Sequence, residues 1–440
     1  MEDEKYKLKA LMDSLENEGV LDAYDADRSE NLHRLFMYPA MMVPSAQTAV
    51  VTGVSKLLAN KVRAIDPFMG SGTSLLSCME IGADIYGQDI NPLAVLLSKV
   101  KTHLFDINGL SSSFEDLRDR ISNDKENSID VSFPNIDKWF KKNIQFSLSK
   151  IRRAIKAESN ELYRDFFWIN MAEAIRIGSN DRTSTFKLHQ RTTDDIQSRN
   201  IDIISEFIKF TQRAINDIKK FREKLINKGS LIGNSYVGNI ETIWGNSQES
   251  IHSNEKYFNL LVSSPPYGDN HTTVTYGQAS YLPLQWIDPK DLDCPFDYLR
   301  TTQEIDAQSL GGHINRKELK DKVYSIFQKS NVIRDFYVNI PDEEKQKYHK
   351  TLSFIIDFDE SLKIILSKMT NDAYYIWTIG NRFVGGREIP NSSILKDLMM
   401  NYGITLQYTA ERQIHNKKQP NRNSSSRTME KEHVMIFHKE

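Results

Sequence analysis

Apolar and polar positions follow two different periods along this chain, and the points where the period changes mark out its elements. Residues 1–30 are mostly polar and read as a helical lead-in. "HRLFMYPAMMVPSAQTAVVTGVSKLL" follows, an extended stretch of aromatic residues and prolines that runs into a helix. The apolar run in "VRAID" stops at a Gly-rich turn, "PFMGSG", and gives way to the helical pattern of "TSLLSCMEIG". "ADIYGQDINPLAVLLSKVKT" repeats the scheme: a strand ends at Asp89 and a helix opens at Asn91-Pro92, where the proline's missing N–H costs nothing. Two strand–turn–helix units in succession predict an α/β fold with a doubly wound, parallel sheet.

From about residue 105 to 230 the strand period disappears and only helical spacing remains. Ile204, Phe207, Ile208, Ile215, Ile218, Phe221 and Leu225 share one helix face, and Gly229 is a stop signal after it. This is the pattern of a helical insertion. The sheet resumes near "ETIWGNSQES" and "FNLLVSS", and a mixed segment occupies 280–350. A helix then places Ile355, Phe358, Leu362, Ile365 and Met369 on one side. "AYYIWTIGN" and "EHVMIF" are the closing strands, and 411–432, poor in apolar residues, reads as a mobile basic loop. The expected division is 1–104, an insertion over 105–235, and 236–440.

Composition narrows the class without naming it. At 39% hydrophobic and 26% charged residues the chain is ordinary globular protein with enough apolar material for a large core. A formal charge of −2 does not mark a nucleic-acid binder, so any basic surface must be local. Two distant cysteines, Cys78 and Cys294, fit a reducing cytosol and exclude a disulfide framework. The histidines show no metal or triad spacing, so no metal site is expected. The N-terminus lacks an apolar leader, and no run is long enough to span a membrane.

"DPFMGSGT", residues 66–73, carries the first candidate chemistry. Gly70 and Gly72 let the backbone approach a ligand closely, and the helix that follows offers free N–H groups. Asp89, nineteen residues after Gly70, stands where an acid reaches ribose hydroxyls. A nicotinamide dinucleotide site needs a third glycine where Leu75 stands, and a phosphate-binding P-loop needs a lysine that is missing. A cofactor with a nucleoside but no pyrophosphate, S-adenosyl-L-methionine, fits the pattern.

"SSPPY", residues 263–267, carries the second. Proline cannot continue a sheet ladder, so the strand must end there, on the same sheet edge as the glycine turn. The Ser264 hydroxyl and the Pro265 carbonyl can hold the two hydrogens of an exocyclic amine, and Tyr267 offers a flat face to a base. Drawing on both hydrogens frees the amine lone pair to attack a neighbouring methyl group, with no covalent enzyme intermediate.

These motifs resemble the amino-group DNA methyltransferases, which methylate cytosine N4 or adenine N6. "DPFMGSGT" looks like their cofactor motif, "GQDINPLA" like their second motif and "SSPPYG" like their catalytic motif. "HRLFMYPAMMVPS" resembles the extra cofactor-side motif, in which Tyr38 and Pro39 would pack on the methionyl end. The resemblance covers roughly 31–105 and 240–440. It implies a Rossmann-like class I S-adenosylmethionine-dependent methyltransferase sheet with a helical insertion. Ser264, Pro265, Pro266 and Tyr267 would be catalytic. Asp66, Phe68, Gly70, Gly72 and Asp89 would hold the cofactor, with Pro67, Thr73 and Ile90 beside them and Asn246 near its adenine. Serine before Pro-Pro-Tyr points to cytosine N4. Double-stranded DNA is the implied substrate, and restriction–modification, with a cognate endonuclease as partner, is the implied setting.

About 190 residues separate the two motifs, so the insertion or the segment 290–350 would read the DNA. Lys417, Lys418 and Arg422 are expected to touch phosphates; Arg182 is an equal candidate for phosphate contact or plain solvent exposure. N6-adenine methylation, methylation of RNA or of a protein glutamine amide, and a non-catalytic DNA-binding subunit stay open on the residues alone.

Overall fold

A computed structural model describes residues 2–22, 30–183, 187–254, 256–270, 273–294, 299, 301–313, 316–414, 429 and 431–439. Seven strands form its main sheet: β1 (Arg63–Asp66), β2 (Asp84–Asp89), β3 (Ile240–Trp244), β4 (Phe258–Ser263), β5 (Met369–Ile379), β6 (Ile404–Gln413) and β7 (Lys431–Lys439). Their spatial order is β6-β7-β5-β4-β1-β2-β3. Neighbours pair in parallel from β3 to β5, and β7 runs antiparallel to both β5 and β6. This mostly parallel α/β sheet is the expected Rossmann-like arrangement.

The topology fixes where a ligand can bind. After β1 the chain crosses to β2 on one side, and it later returns to β4 on the other side of β1. The carboxyl ends of β1 and β4 therefore flank the point where the strand order reverses, the crevice in which open α/β sheets hold ligands.

Strand alternation divides the core into two layers. Ala64, Leu260 and Ile376 face one apolar cluster, and Ile65, Leu261 and Trp377 face the other. Helices cover both faces. Those needed below are α1 (Glu2–Asn17), α2 (Pro44–Ser55), α3 (Thr73–Met79) and α4 (Pro92–Thr102). Between α4 and β3 the chain adds α5 (Ile107–Asn123), α6 (Lys142–Lys156), α7 (Glu161–Gly178) and α8 (Ile203–Asn227). Side-chain oxygens of Asp106, Asn160 and Asp202 cap the starts of α5, α7 and α8. These helices share the core of the sheet layer they cover: Phe166, Phe167, Phe207 and Phe221 belong to the same cluster as Leu93 and Leu97 of α4. They thicken one layer of the sheet.

Two expectations need correction. Met369 opens β5 and is not part of the preceding helix, His349–Ser367. Glu411–Gln413 close strand β6, and Lys431–Glu432 open β7, so the expected loop over 411–432 is shorter than its composition suggested. Strand β6 lies at the sheet edge, and only Ile404 and Ala410 are buried along it, so it shows no apolar alternation. Helix α1 lies across that edge, with the Tyr408 hydroxyl bonded to Asp13 and Glu16, both at 2.7 Å. Among the described residues no helix is long and apolar enough to cross a membrane.

Candidate active site

Strand β1 ends at Asp66, which is almost fully buried. Its carboxylate accepts from the Phe68 amide at 3.0 Å, from the Ser263 hydroxyl at 2.6 Å and from the Ser74 hydroxyl. Asp66 thus ties the glycine turn, helix α3 and strand β4 together from behind. Burial pushes its carboxyl up to about 6, against the pull of those three donors.

The turn itself is held from several sides. The Met69 amide donates to the Gln88 carbonyl at 3.0 Å, and Gly72 closes back on the Met69 carbonyl at 2.8 Å. Gly70 and Gly72 adopt φ of +47° and +73°, which side chains other than hydrogen disfavour. Ser98 donates to the Gly70 carbonyl at 3.2 Å, and the buried Lys101 ammonium donates to the Ser71 carbonyl at 2.8 Å. Burial brings Lys101 down to about 7.

At the end of β2, Asp89 accepts from the amides of Gly70 and Asn91, each at 2.8 Å. Burial pushes its carboxyl up to about 6. Asn91 caps α4 through Leu93 and also donates to the Tyr38 hydroxyl at 3.0 Å and the Ser280 hydroxyl at 2.7 Å. The Tyr38 ring stacks on Tyr276 with centroids 5.8 Å apart. At the end of β3, Trp244 donates to the Ile90 carbonyl at 2.8 Å and Ser247 to the Pro67 carbonyl at 2.6 Å. Asn246 folds its own turn by accepting from the Gln248 amide at 3.0 Å.

Strand β4 stops at Ser263 and the turn Ser264–Tyr267 follows. The Ser264 and Tyr267 hydroxyls lie 3.2 Å apart, and Tyr267 donates to Oε1 of Glu432 at 3.0 Å. Arg412 grips the other oxygen of Glu432 through Nε at 2.7 Å and Nη2 at 2.6 Å. Asn391 bonds the Tyr267 and Gly380 carbonyls, both at 2.9 Å, which fixes the exit of the turn.

One cavity, open at its mouth, joins these parts. Tyr38, Pro39, Pro67, Phe68, Gly70, Asp89, Ile90 and Asn246 line it together with Ser264 and Pro266. Asp66, Gly72, Thr73, Pro265 and Tyr267 are not among the residues that line it. Sequence reasoning did not find Asn270, Tyr276 and Ser309, which also line it. Asn270 is buried, yet its Oδ1 has no hydrogen-bond partner among the described residues. It presents a free acceptor to whatever fills the space. Nor did the sequence signal Glu432 and Arg412; both lie in strands distant from the motif they support. Arg182 is exposed on a loop, with its amide bonded to the His189 carbonyl at 2.9 Å, and it is not among the residues lining the cavity. Lys417, Lys418 and Arg422 lie outside the described residues.

The lining, a glycine turn at Gly70 with the acid Asp89 beside it, fits a nucleoside-bearing cofactor such as S-adenosyl-L-methionine. No protein-family model matches the chain. The chain is 30% identical over 421 residues to the type II methyltransferase M.MvaI of Kocuria varians, covering 93% of this chain and 90% of that protein. It is also 30% identical over 145 residues to the type II methyltransferase M.MjaII of Methanocaldococcus jannaschii, covering 31% of this chain and 26% of that one.

Proposed function

Since the chain belongs to the type II DNA methyltransferases, we propose that it methylates the N4 amino group of a cytosine flipped out of a defined site in duplex DNA. The methyl donor is S-adenosyl-L-methionine, which supplies an electrophilic methyl group on a sulfonium. The setting is restriction–modification, with a cognate endonuclease as partner.

The observation that carries this reading is that Ser264 and Pro266 line the same cavity as Gly70 and Asp89. A nucleoside cofactor at the glycine turn and an amine at Ser264 would share one space, so the transfer could be direct. Asp89 would accept from the ribose hydroxyls, Ile90 and Asn246 would flank the adenine, and Tyr38 with Pro39 would pack on the methionyl end. Ser264 and the Pro265 carbonyl would hold the amine hydrogens. Asp66, Gly72 and Thr73 would shape the cofactor turn from behind. Arg182, Lys417, Lys418 and Arg422 would serve as phosphate contacts, and the insertion or segment 290–350 would read the site.

Mass spectrometry of nucleosides, from sequence-diverse DNA incubated with the protein and S-adenosyl-L-methionine, tests the reading. N4-methylcytosine is the expected product. N6-methyladenine would overturn the base, and no modified nucleoside would overturn the DNA reaction.

A further inference from the structure

Glu432 lies 165 residues beyond Tyr267, at the start of β7, yet its carboxylate meets the Tyr267 hydroxyl at 3.0 Å. Both nitrogens that Arg412 offers go to Oε2, so Oε1 is left to Tyr267. Arg412 stands directly opposite Glu432 in the β6–β7 register, and both side chains are largely buried. Resting on the methyl-transfer reading above, we propose that Glu432 is a positioning residue that sets the direction of the hydroxyl chain Ser264–Tyr267, so that Ser264 Oγ faces the target amine as an acceptor.

The reasoning is a count of protons. An ionised carboxylate only accepts, so the single Tyr267 proton is committed to Glu432. Tyr267 Oη can then receive but no longer give, and Ser264, 3.2 Å away, must be the donor in that contact. The Ser264 proton therefore points away from the cavity, and its lone pairs remain for an incoming N–H. A serine hydroxyl free to rotate would present its proton to the amine half-formed and would compete for the lone pair that must attack. Burial and the Glu432 charge both hold the Tyr267 phenol well above its ordinary range, so it stays a hydroxyl.

The same chain can carry a proton out. As the amine nitrogen bonds to the methyl carbon, the carbon–sulfur pair stays on sulfur and the nitrogen becomes positive. Its proton passes to Ser264 Oγ, the Ser264 proton to Tyr267 Oη, and the Tyr267 proton to Glu432 Oε1. The products are the neutral methylamine, two restored hydroxyls and a neutral carboxylic acid, so charge balances. An N-protonated exocyclic amine is a far stronger acid than a carboxylic acid, so even a carboxylate paired with arginine accepts that proton.

Glu432→Gln is the diagnostic variant. Arg412 needs an acceptor, so the amide oxygen turns to it and the amide N–H₂ faces Tyr267, reversing the chain. The expected result is a single-turnover methylation rate about a hundredfold lower, within the range of a positioned proton acceptor, with cofactor and DNA affinities unchanged. In the free enzyme, the ¹³Cζ resonance of Tyr267 moves upfield, because the phenol no longer donates to a carboxylate. Tyr267→Phe keeps the ring and the Glu432–Arg412 pair but cuts the chain, and is also expected to slow turnover. Full rate in either variant, or an unmoved resonance in Glu432→Gln, overturns the proposal. A wild-type product other than N4-methylcytosine would instead overturn the base assignment and leave these comparisons readable on the base that is modified.

Discussion

The backbone amide of Gly70 donates a 2.8 Å hydrogen bond to Oδ2 of Asp89, so the glycine turn and the acid at the end of β2 are one device. The acid fixes the curvature of the turn, and the turn holds the acid at the cavity wall. Oδ1 of Asp89 takes the Asn91 amide at 2.8 Å, and the Ile90 amide also bonds the carboxylate, so three backbone donors hold the acid in place.

Cofactor affinity should therefore depend on pH. Burial raises Asp89 from 3.8 to about 6. A ribose hydroxyl donates to the ionised form, so the affinity for S-adenosyl-L-methionine is full at neutral pH and weakens as pH falls through about 6. Tyr38 and Tyr276, which face Asp89, are pushed upward and stay protonated across this range. Asp66 titrates in the same window from behind the turn. The sign for stability is opposite: with both folded values raised, these two groups contribute stability to the ligand-free protein below pH 3.8 that is lost as pH rises through about 6. Calorimetric titration of wild type and Asp89→Asn from acid to neutral pH checks this. Asp89→Asn should bind weakly with most of the dependence gone; an unchanged profile would remove Asp89 from the cofactor site.

Gly72→Ala should damage the turn without touching the cavity wall. The backbone there has φ of +73°, and an added Cβ would stand 2.8 Å from Ser98 Oγ. Left-handed backbone costs a residue with a side chain about 1–2 kcal/mol, and Ser98 must also release the Gly70 carbonyl. Lower melting temperature together with weaker cofactor binding is the expected result. Wild-type values in both would show that the turn tolerates a side chain.

The parts of the fold that announced themselves are those whose chemistry is local. Strands β1 and β2, their turns and the helices after them were legible because glycine, Asn-Pro and short apolar runs act within a few residues. Helix α8 was legible from its long apolar stripe, although Ile204 and Ile208 are only half-buried and Ile203 and Phe210 complete the face. Strand β6 was not legible, because an edge strand under a helix needs few buried residues. The candidate site was legible for the same local reason, down to Ser264 and Asp89. Glu432 and Arg412 were not, because cross-strand pairing alone brings them to Tyr267. Asn270 was missed for another reason: nothing about an asparagine after Pro-Pro-Tyr-Gly-Asp distinguishes a turn former from a cavity-lining acceptor.

The ion pair of Asp269 and Arg382 should hold the far end of the catalytic turn. Asp269 is fully buried, with Arg382 Nη1 at 3.4 Å and Lys350 Nζ at 3.8 Å. Removing one partner of a buried pair costs up to about 3–5 kcal/mol, and Lys350 still faces Asp269, so the loss here should be only part of that. Arg382→Met should therefore lower the denaturant midpoint, and Asp269→Asn combined with it should recover part of the loss. A double variant no more stable than Arg382→Met alone would mean that Asp269 is neutralised by other neighbours.

Ser264→Ala should separate chemistry from architecture. The contact shown for the Ser264 hydroxyl is with Tyr267 Oη, at 3.2 Å, and the residue is only half-buried. Its loss leaves Tyr267 bonded to Glu432, so stability should fall by no more than about 1 kcal/mol, the net worth of one ordinary hydrogen bond. The cofactor turn, braced by Asp66, Ser98 and Lys101, is untouched, so cofactor affinity should persist. The amine, in contrast, loses the acceptor that frees its lone pair. Single-turnover methylation should slow by about 10²–10⁴, without a matching rise in KM for DNA. If KM rises and the rate at saturating DNA is retained, Ser264 binds the base without activating it, and the acceptor must be sought in the Pro265 carbonyl or in Asn270.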